Sequence, residues 1–82
     1  MENELTELRP LPQYREGREH IFPSDSSLEW TCRKHRRELV EAGALLLIGG
    51  RRMANPPVFD RVILAAARRA AQAAMPDEES AS

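Results

Sequence analysis

The middle of the chain carries the feature that most limits its fold: an apolar run, a Gly-Gly pair and a second short run, in the stretch ALLLIGGRRMAN. Two glycines between two such runs are typical of a β-hairpin turn, which needs positive φ at both central residues. We expect the turn at Gly49 and Gly50. The cross-strand pairs would then be Leu47 with Arg52 and Ile48 with Arg51. Because a two-stranded hairpin is marginal alone, one face must pack on helices. The alternatives are the face of Leu45 and Leu47 and the face of Leu46 and Ile48.

A helix is predicted before the hairpin, from Ser26 to Ala42. Ser26 and Glu29 have the spacing of a capping box, and Gly43 is a suitable helix stop. At about 100° per residue, one side of this helix forms a core stripe of Leu28, Cys32, His35, Leu39 and Ala42. The opposite side carries Trp30, Arg33, Lys34, Arg37 and Glu41.

A second helix is predicted after the hairpin, from Pro56 to Ala74. Asn55 is a favourable N-cap, and prolines at the first helical positions cost no hydrogen bond. The buried stripe would consist of Phe59, Ile63, Ala66 and Ala70, and another face of Arg61, Ala65, Arg68 and Gln72. The Ala-rich end LAAARRAAQAA has little to bury, so it is either frayed or a contact with a second subunit.

The length of 82 residues allows one small domain. We divide it into a loosely ordered, proline-bearing arm over 1–20, a folded unit over 21–75 and a disordered acidic tail over 76–82. The single Cys32 closes no internal disulfide, and the Cys and His spacing does not suit zinc, so no cofactor is expected. No apolar run is long enough to span a bilayer, and the acidic start MENELTEL does not resemble a signal peptide. These features favour a cytoplasmic protein.

Charge is sorted along the chain, although the net charge is only -1. Residues 1–27 carry a net -3, residues 28–74 a net +5 and residues 75–82 a net -3. A basic centre of this kind suits a nucleic acid or an acidic protein surface, and it equally suits an ordinary solvated surface.

The order of capped helix, glycine stop, hairpin with a basic tip and second helix predicts an α+β domain like the compact winged helix-turn-helix proteins. The stretches FPSDSSLEW and RKHRRELVEAGALLLIGGRRMANPPVFDRVI resemble the small excisionase-like or MerR-like DNA-binding proteins of phages, plasmids and integrative elements. The resemblance covers roughly residues 21–70. The first helix of that family has no clear counterpart in LPQYREGREH.

The resemblance implies that the helix before the hairpin enters the major groove of double-stranded DNA and that the hairpin is the wing. By position, the recognition residues would be Ser27, Thr31, Arg33, Lys34 and Arg37, and the wing contacts Arg51 and Arg52. Guanidinium groups can form paired hydrogen bonds with guanine edges or phosphates, which is the chemistry such sites need.

Other side chains give weaker signals. Trp30 lies at the exposed angle of the helix, yet we expect it to be covered by the arm around Tyr14. Cys32 and His35 share a helix face, but that face is apolar, so a packed thiol and a core histidine are expected rather than a catalytic pair. Nothing in the sequence supports an enzyme.

Two functions of different kinds remain open. The first is a DNA-binding excision factor or transcriptional regulator of a mobile element. The second is a protein-binding inhibitor carried by a mobile element, for example an anti-CRISPR protein, which would use the same basic face on a protein or in a nucleic-acid channel. With so small a core, the protein is expected to be a dimer or to bind cooperatively, through the Ala-rich face of the last helix.

Overall fold

In the computed structural model, which describes residues 4–75, five helices and three strands follow one another along the chain. Their order is α1 (Glu4–Glu7), β1 (Arg9–Pro10), α2 (Leu11–Arg15), α3 (Asp25–Lys34), α4 (Arg36–Ala42), β2 (Leu45–Ile48), β3 (Arg51–Ala54) and α5 (Pro56–Ala74). The strands form one antiparallel sheet in the order β1-β3-β2. The α+β class predicted from the sequence is therefore confirmed.

The hairpin forms as the sequence predicts. Gly49 and Gly50 have φ of 60° and 80°, which a two-residue hairpin turn with positive φ at both positions requires. Leu47 pairs with Arg52 and Ile48 with Arg51. At the base of the hairpin Ala54 is fully buried and its partner Leu45 packs against the core, so this is the face that lies on the helices.

The N-terminal segment is part of the fold from residue 4, so the expectation of a loose arm is corrected. Arg9 and Pro10 pair with β3 as a third strand. Leu11 and Tyr14 of α2 lie in the core, where the Tyr14 ring is 4.4 Å from that of Phe59. Burial of these two side chains outweighs the irregular, proline-bearing local sequence.

The helix before the hairpin begins earlier than predicted. Ser24, not Ser26, is the N-cap, and its hydroxyl accepts a hydrogen bond from the Ser27 amide at 3.2 Å. Ser27 completes the box by accepting from the Ser24 amide. Glu29, expected to have this role, binds Arg52 instead.

That helix is also interrupted. His35 has φ -112° and ψ 27°, and it separates α3 from α4. Leu28, Cys32 and Leu39 are buried as predicted, whereas His35 is half-buried and Ala42 is exposed. Gly43 ends α4 in the left-handed conformation, as expected.

The last helix has the predicted bounds, with Asn55 at the N-cap position, although the Asn55 side chain makes no capping hydrogen bond. Phe59 and Ala66 are buried and Ile63 is half-buried, but Ala70 is exposed. Residues 67–75 are all exposed, so the C-terminal part of α5 is not covered by the rest of the described chain. The predicted acidic tail, 76–82, lies outside the described residues.

An ionic network joins the N-terminal segment to α5. Arg18 donates two hydrogen bonds to Asp60, each of 2.9 Å, and the Tyr14 hydroxyl donates a third at 2.6 Å. The hydrogen bonds from Arg18 hold the pKa of the Asp60 carboxyl below its usual value, and burial raises the pKa of Tyr14.

Among the described helices, none combines the length and apolar character needed to cross a membrane.

Candidate nucleic-acid interface

The outer side of α3 is basic. Leu28 and Cys32 face the core, so the positions on the other side of the helix, Ser26, Trp30, Arg33 and Lys34, all lie exposed. The Arg33 side chain makes no hydrogen bond or ion pair with any residue between 4 and 75. The pKa of the Glu29 carboxyl is lowered mainly by its hydrogen bonds from Arg52, and the nearby charge of Arg33 lowers it further. Both cations predicted on this helix are thus open to solvent.

Arg37 lies beyond the break at His35, on α4. It is two residues from Leu39, which is completely buried, so its side chain also points away from the core. We call Arg33, Lys34 and Arg37 the basic face. These three side chains belong to two consecutive helices rather than to the single continuous helix predicted from the sequence.

The acidic residues around the basic face are engaged by cations from other elements. Asp25 pairs with Arg15 at 3.0 Å, Glu38 with Arg69 at 2.7 Å and Glu29 with Arg52. Only Glu41, exposed on α4, has no such partner in the described chain. The basic face therefore keeps a local excess of positive charge despite the low net charge of the protein.

The two arginines at the hairpin tip differ from each other. The Arg51 side chain is exposed and has no hydrogen-bond or ion-pair partner within residues 4–75. Arg52 donates from Nη1 to Glu29 Oε1 at 2.9 Å and from Nη2 to Glu29 Oε2, which ties the hairpin to α3. Of the two predicted wing residues, Arg51 therefore has a guanidinium that is available to a ligand, whereas the guanidinium of Arg52 is already paired with Glu29.

The hydroxyls of Ser27 and Thr31 are used within α3. Ser27 Oγ donates to the Ser24 carbonyl at 2.7 Å as part of the cap, and Thr31 Oγ1 donates to the Ser27 carbonyl at 3.1 Å. Thr31 also lines the groove beside α5 rather than the outer side of the helix. The structure therefore does not bring these two predicted recognition residues together with the basic face.

Trp30 lies on the surface and is not covered by the arm around Tyr14, so that expectation was wrong. It is 54% exposed, because Tyr14 packs on Phe22 and Phe59 instead of covering it. Lys34 Nζ lies 4.7 Å from the centre of the indole ring, which places a cation and an aromatic ring side by side on the outer surface. The helical spacing already placed Trp30 on this side, and that signal was the correct one.

The other candidate chemistry remains structural. Cys32 is buried, and burial raises the pKa of its thiol, which disfavours the thiolate. His35 faces Glu38, with Nδ1 3.4 Å from Oε1. Within residues 4–75 no group of three or more His, Cys, Asp or Glu side chains is placed to hold a metal ion.

Two apolar grooves run along α5. One, of about 470 Å³, lies between α5 and the junction of α3 and α4 and has Lys34 and Arg69 among its lining. The other, of about 270 Å³, lies over the Arg18–Asp60 pair. A third cleft, of about 290 Å³, lies between the hairpin and the start of α3 and contains Arg51 and the Arg52–Glu29 pair.

Comparison of the chain with protein families, with curated proteins and with solved structures finds no match.

Proposed function

We propose that this protein binds double-stranded DNA as a small winged helix-turn-helix protein of a mobile element, either as an excision factor or as a transcriptional regulator. In this proposal α3 and α4 present the basic face to the DNA, and β2 and β3 form the wing. The observation that carries it is that the side chains of Arg33, Arg37 and Arg51 have no ion-pair partner within residues 4–75, while the acids around them are already held by other arginines.

The arrangement of the elements supports a winged helix. A short strand, β1, pairs with the hairpin on the side away from β2, so the sheet has three strands. The helix α2 contacts α3, and both contribute to the same core. In the proposed fold, α2 would be the first helix of the helix-turn-helix, for which the sequence alone offers no clear counterpart.

The chemistry of the basic face supports DNA as the partner. Guanidinium groups can bind guanine edges in pairs of hydrogen bonds, each pair worth about 1–3 kcal/mol of discrimination, and they can neutralise phosphates. Arg33 and Arg37 are suited to either contact, whereas Lys34 offers a point charge partly shielded by Trp30. Arg51 is suited to a phosphate or to the minor groove.

The test compares two pairs of charge removals. Arg33→Ala with Arg37→Ala removes two exposed arginines from the basic face, and Arg61→Ala with Arg68→Ala removes two exposed arginines from α5. Fluorescence anisotropy with a labelled duplex should show a loss of affinity of at least about tenfold for the first pair only, since each lost contact costs about 1.4 kcal/mol or more. Equal losses of affinity for both pairs would show that the protein binds DNA only through nonspecific charge attraction.

One observation favours a second candidate, a protein-binding inhibitor. A tryptophan exposed beside an arginine and a lysine has the composition of a binding hot spot for a protein partner. Under that alternative, the wild-type protein would bind no duplex at low salt, and Trp30→Ala together with the basic-face substitutions would release a protein partner.

A further inference from the structure

The groove between α5 and the junction of α3 with α4, which we call the α3–α5 groove, has an apolar floor. Its volume of about 470 Å³ is in the range of pockets that hold small organic ligands. Six of the side chains that line it are apolar: Ile21, Phe22, Ile63, Ala66, Ala67 and Ala70. Since Phe22 and Ala66 are buried, the floor of the groove is part of the core, and it is present without a ligand.

The walls of the α3–α5 groove carry positive charge. Lys34 lies on the α3 wall and Arg69 on the α5 wall, and no acidic side chain of residues 4–75 lines the groove. The other groove and the cleft beside the hairpin each contain carboxylates, Asp60 in the groove and Asp25 with Glu29 in the cleft. Among these three sites, the α3–α5 groove is therefore the one in which an anion is electrostatically favoured.

Both cations of the groove keep hydrogen-bond donors for a ligand. Arg69 donates from Nη2 to Glu38 Oε2 at 2.7 Å, and its other N–H groups have no partner within residues 4–75. Lys34 has no carboxylate partner in the described part of the chain, and its Nζ lies 4.7 Å from the centre of the Trp30 ring. The flexible four-carbon stem of lysine lets this ammonium group turn from the indole to an anion in the groove.

The combination of an apolar floor with cations on two walls selects the class of ligand. A purely apolar molecule would leave both cations without a partner, and an inorganic anion would leave the floor uncovered. We propose that the α3–α5 groove binds a small organic anion, whose aliphatic or aromatic body lies on the floor while its carboxylate, sulfonate or phosphate group bonds to Lys34 and Arg69.

The proposed ligand site is connected to the basic face through Lys34, which belongs to both. A ligand that pairs with this ammonium group withdraws it from a DNA phosphate, so ligand and duplex weaken each other's binding by the same factor. This consequence rests on the DNA-binding function proposed above. The organic anion is then an effector that lowers the affinity of the protein for DNA.

Two fluorescent probes with the same rings test the ligand class. Anilinonaphthalene sulfonate carries an anion on an apolar body, and phenylnaphthylamine lacks the charge. The wild type should bind the sulfonate at one site, at least about tenfold more tightly than the amine, because hydrogen bonds to a charged group are worth about 1.5–3 kcal/mol. Lys34→Gln and Arg69→Gln should each remove most of this preference and leave the affinity for the amine unchanged.

Matched controls separate the groove from the rest of α5. Arg68→Gln should leave both affinities unchanged, because Arg68 is an exposed arginine that does not line the groove. Ala70→Leu fills part of the groove and should weaken both probes, whereas Ala71→Leu, at an exposed alanine outside the lining, should weaken neither. Circular dichroism melts verify that each variant is folded.

Three outcomes of the probe titrations would overturn the ligand site. The first is equal affinity of the wild type for the two probes, and the second is an unchanged preference for the sulfonate in both Lys34→Gln and Arg69→Gln. The third is exclusion of both probes together with a doubled particle mass in light scattering, which would assign the groove to a second copy of the chain.

Duplex binding tests the effector role separately. A saturating concentration of the sulfonate should flatten the slope of log affinity for duplex against log salt by about 0.9, the value for the one phosphate contact that Lys34 gives up. In Arg69→Gln the same concentration should leave the slope unchanged. Independent binding of sulfonate and duplex by the wild type would overturn the effector role. Binding of the sulfonate without binding of any duplex would contradict the proposed function and the effector role, and it would support the ligand site.

Discussion

The Arg52 guanidinium donates hydrogen bonds to both oxygens of the Glu29 carboxylate, and this ion pair links the hairpin tip directly to α3. The hydrogen bonds from Arg52 lower the pKa of Glu29. Both side chains are more than a third exposed, so we expect the pair to contribute at most about 1 kcal/mol to folding. Its main effect is to set the position of the hairpin and to occupy one of the two tip arginines.

This difference predicts unequal effects of the two tip arginines on DNA binding. Arg51→Ala should flatten the slope of log affinity against log salt by about 0.9, the value for one lost phosphate contact. Arg52→Ala should change the slope less, because Arg52 is neutralised by Glu29 in the free protein. Salt titrations of both variants measure this, and an equal change would show that Arg52 leaves Glu29 to contact a phosphate.

Folding should depend on Leu39 and not on its exposed neighbour. Leu39 is completely buried, so Leu39→Ala should lower the free energy of unfolding by about 2–5 kcal/mol through lost burial and a cavity. Val40 is 51% exposed, and Val40→Ala should change the free energy of unfolding by no more than about 0.5 kcal/mol. Urea unfolding followed by circular dichroism measures both values. Similar losses would mean that Leu39 is not the core residue described above.

Local signals in the sequence were enough to predict the hairpin and α5. The Gly-Gly turn between short strands and the proline pair after Asn55 both follow from backbone sterics, which depend on neighbouring residues alone. They were not enough for the N-terminal segment, because Leu11 and Tyr14 gain their burial from residues about 45 positions away, such as Phe59 and Asp60. The helix break at His35 has no proline or glycine beside it, so no local residue predicts it. The same limit applies to the site: helical spacing identified Arg33 and Lys34, but the partner of Arg52 lies on another element.

The stability of the fold should depend on pH through the ionisation of Asp60. The depressed pKa of this carboxyl means that its ion pair with Arg18 contributes stability above the ordinary carboxyl pKa and that this contribution is lost as the pH falls through the lower folded pKa. Asp60→Asn should therefore be less stable than the wild type at pH 7, and the difference should shrink on acidification below pH 4. Thermal melts from pH 7 to pH 2 measure it. A difference that stays constant with pH would show that the ionised form of Asp60 is unimportant.

Self-association should involve the exposed end of α5. Residues 67–75 are exposed, and Leu64 and Met75 are each 55% exposed, so a second copy would provide burial that one chain lacks. We expect a dimer, or cooperative binding on DNA, and we expect Ala67→Glu with Ala71→Glu to abolish it. Light scattering with and without duplex measures the mass. A monomer under every condition would exclude this form of assembly.

Binding of duplex DNA by the basic face and the hairpin is tested most directly by the salt dependence of the affinity of the wild-type protein. If Arg33, Lys34, Arg37 and Arg51 each neutralise a phosphate, log affinity should fall against log salt with a slope between about -3 and -4. Replacing Arg33, Lys34 and Arg37 with alanine should remove most of that slope while the melting temperature stays nearly constant, since all three side chains are exposed. A wild-type protein that binds no duplex at low salt, or binds with a slope near zero, would contradict the claim.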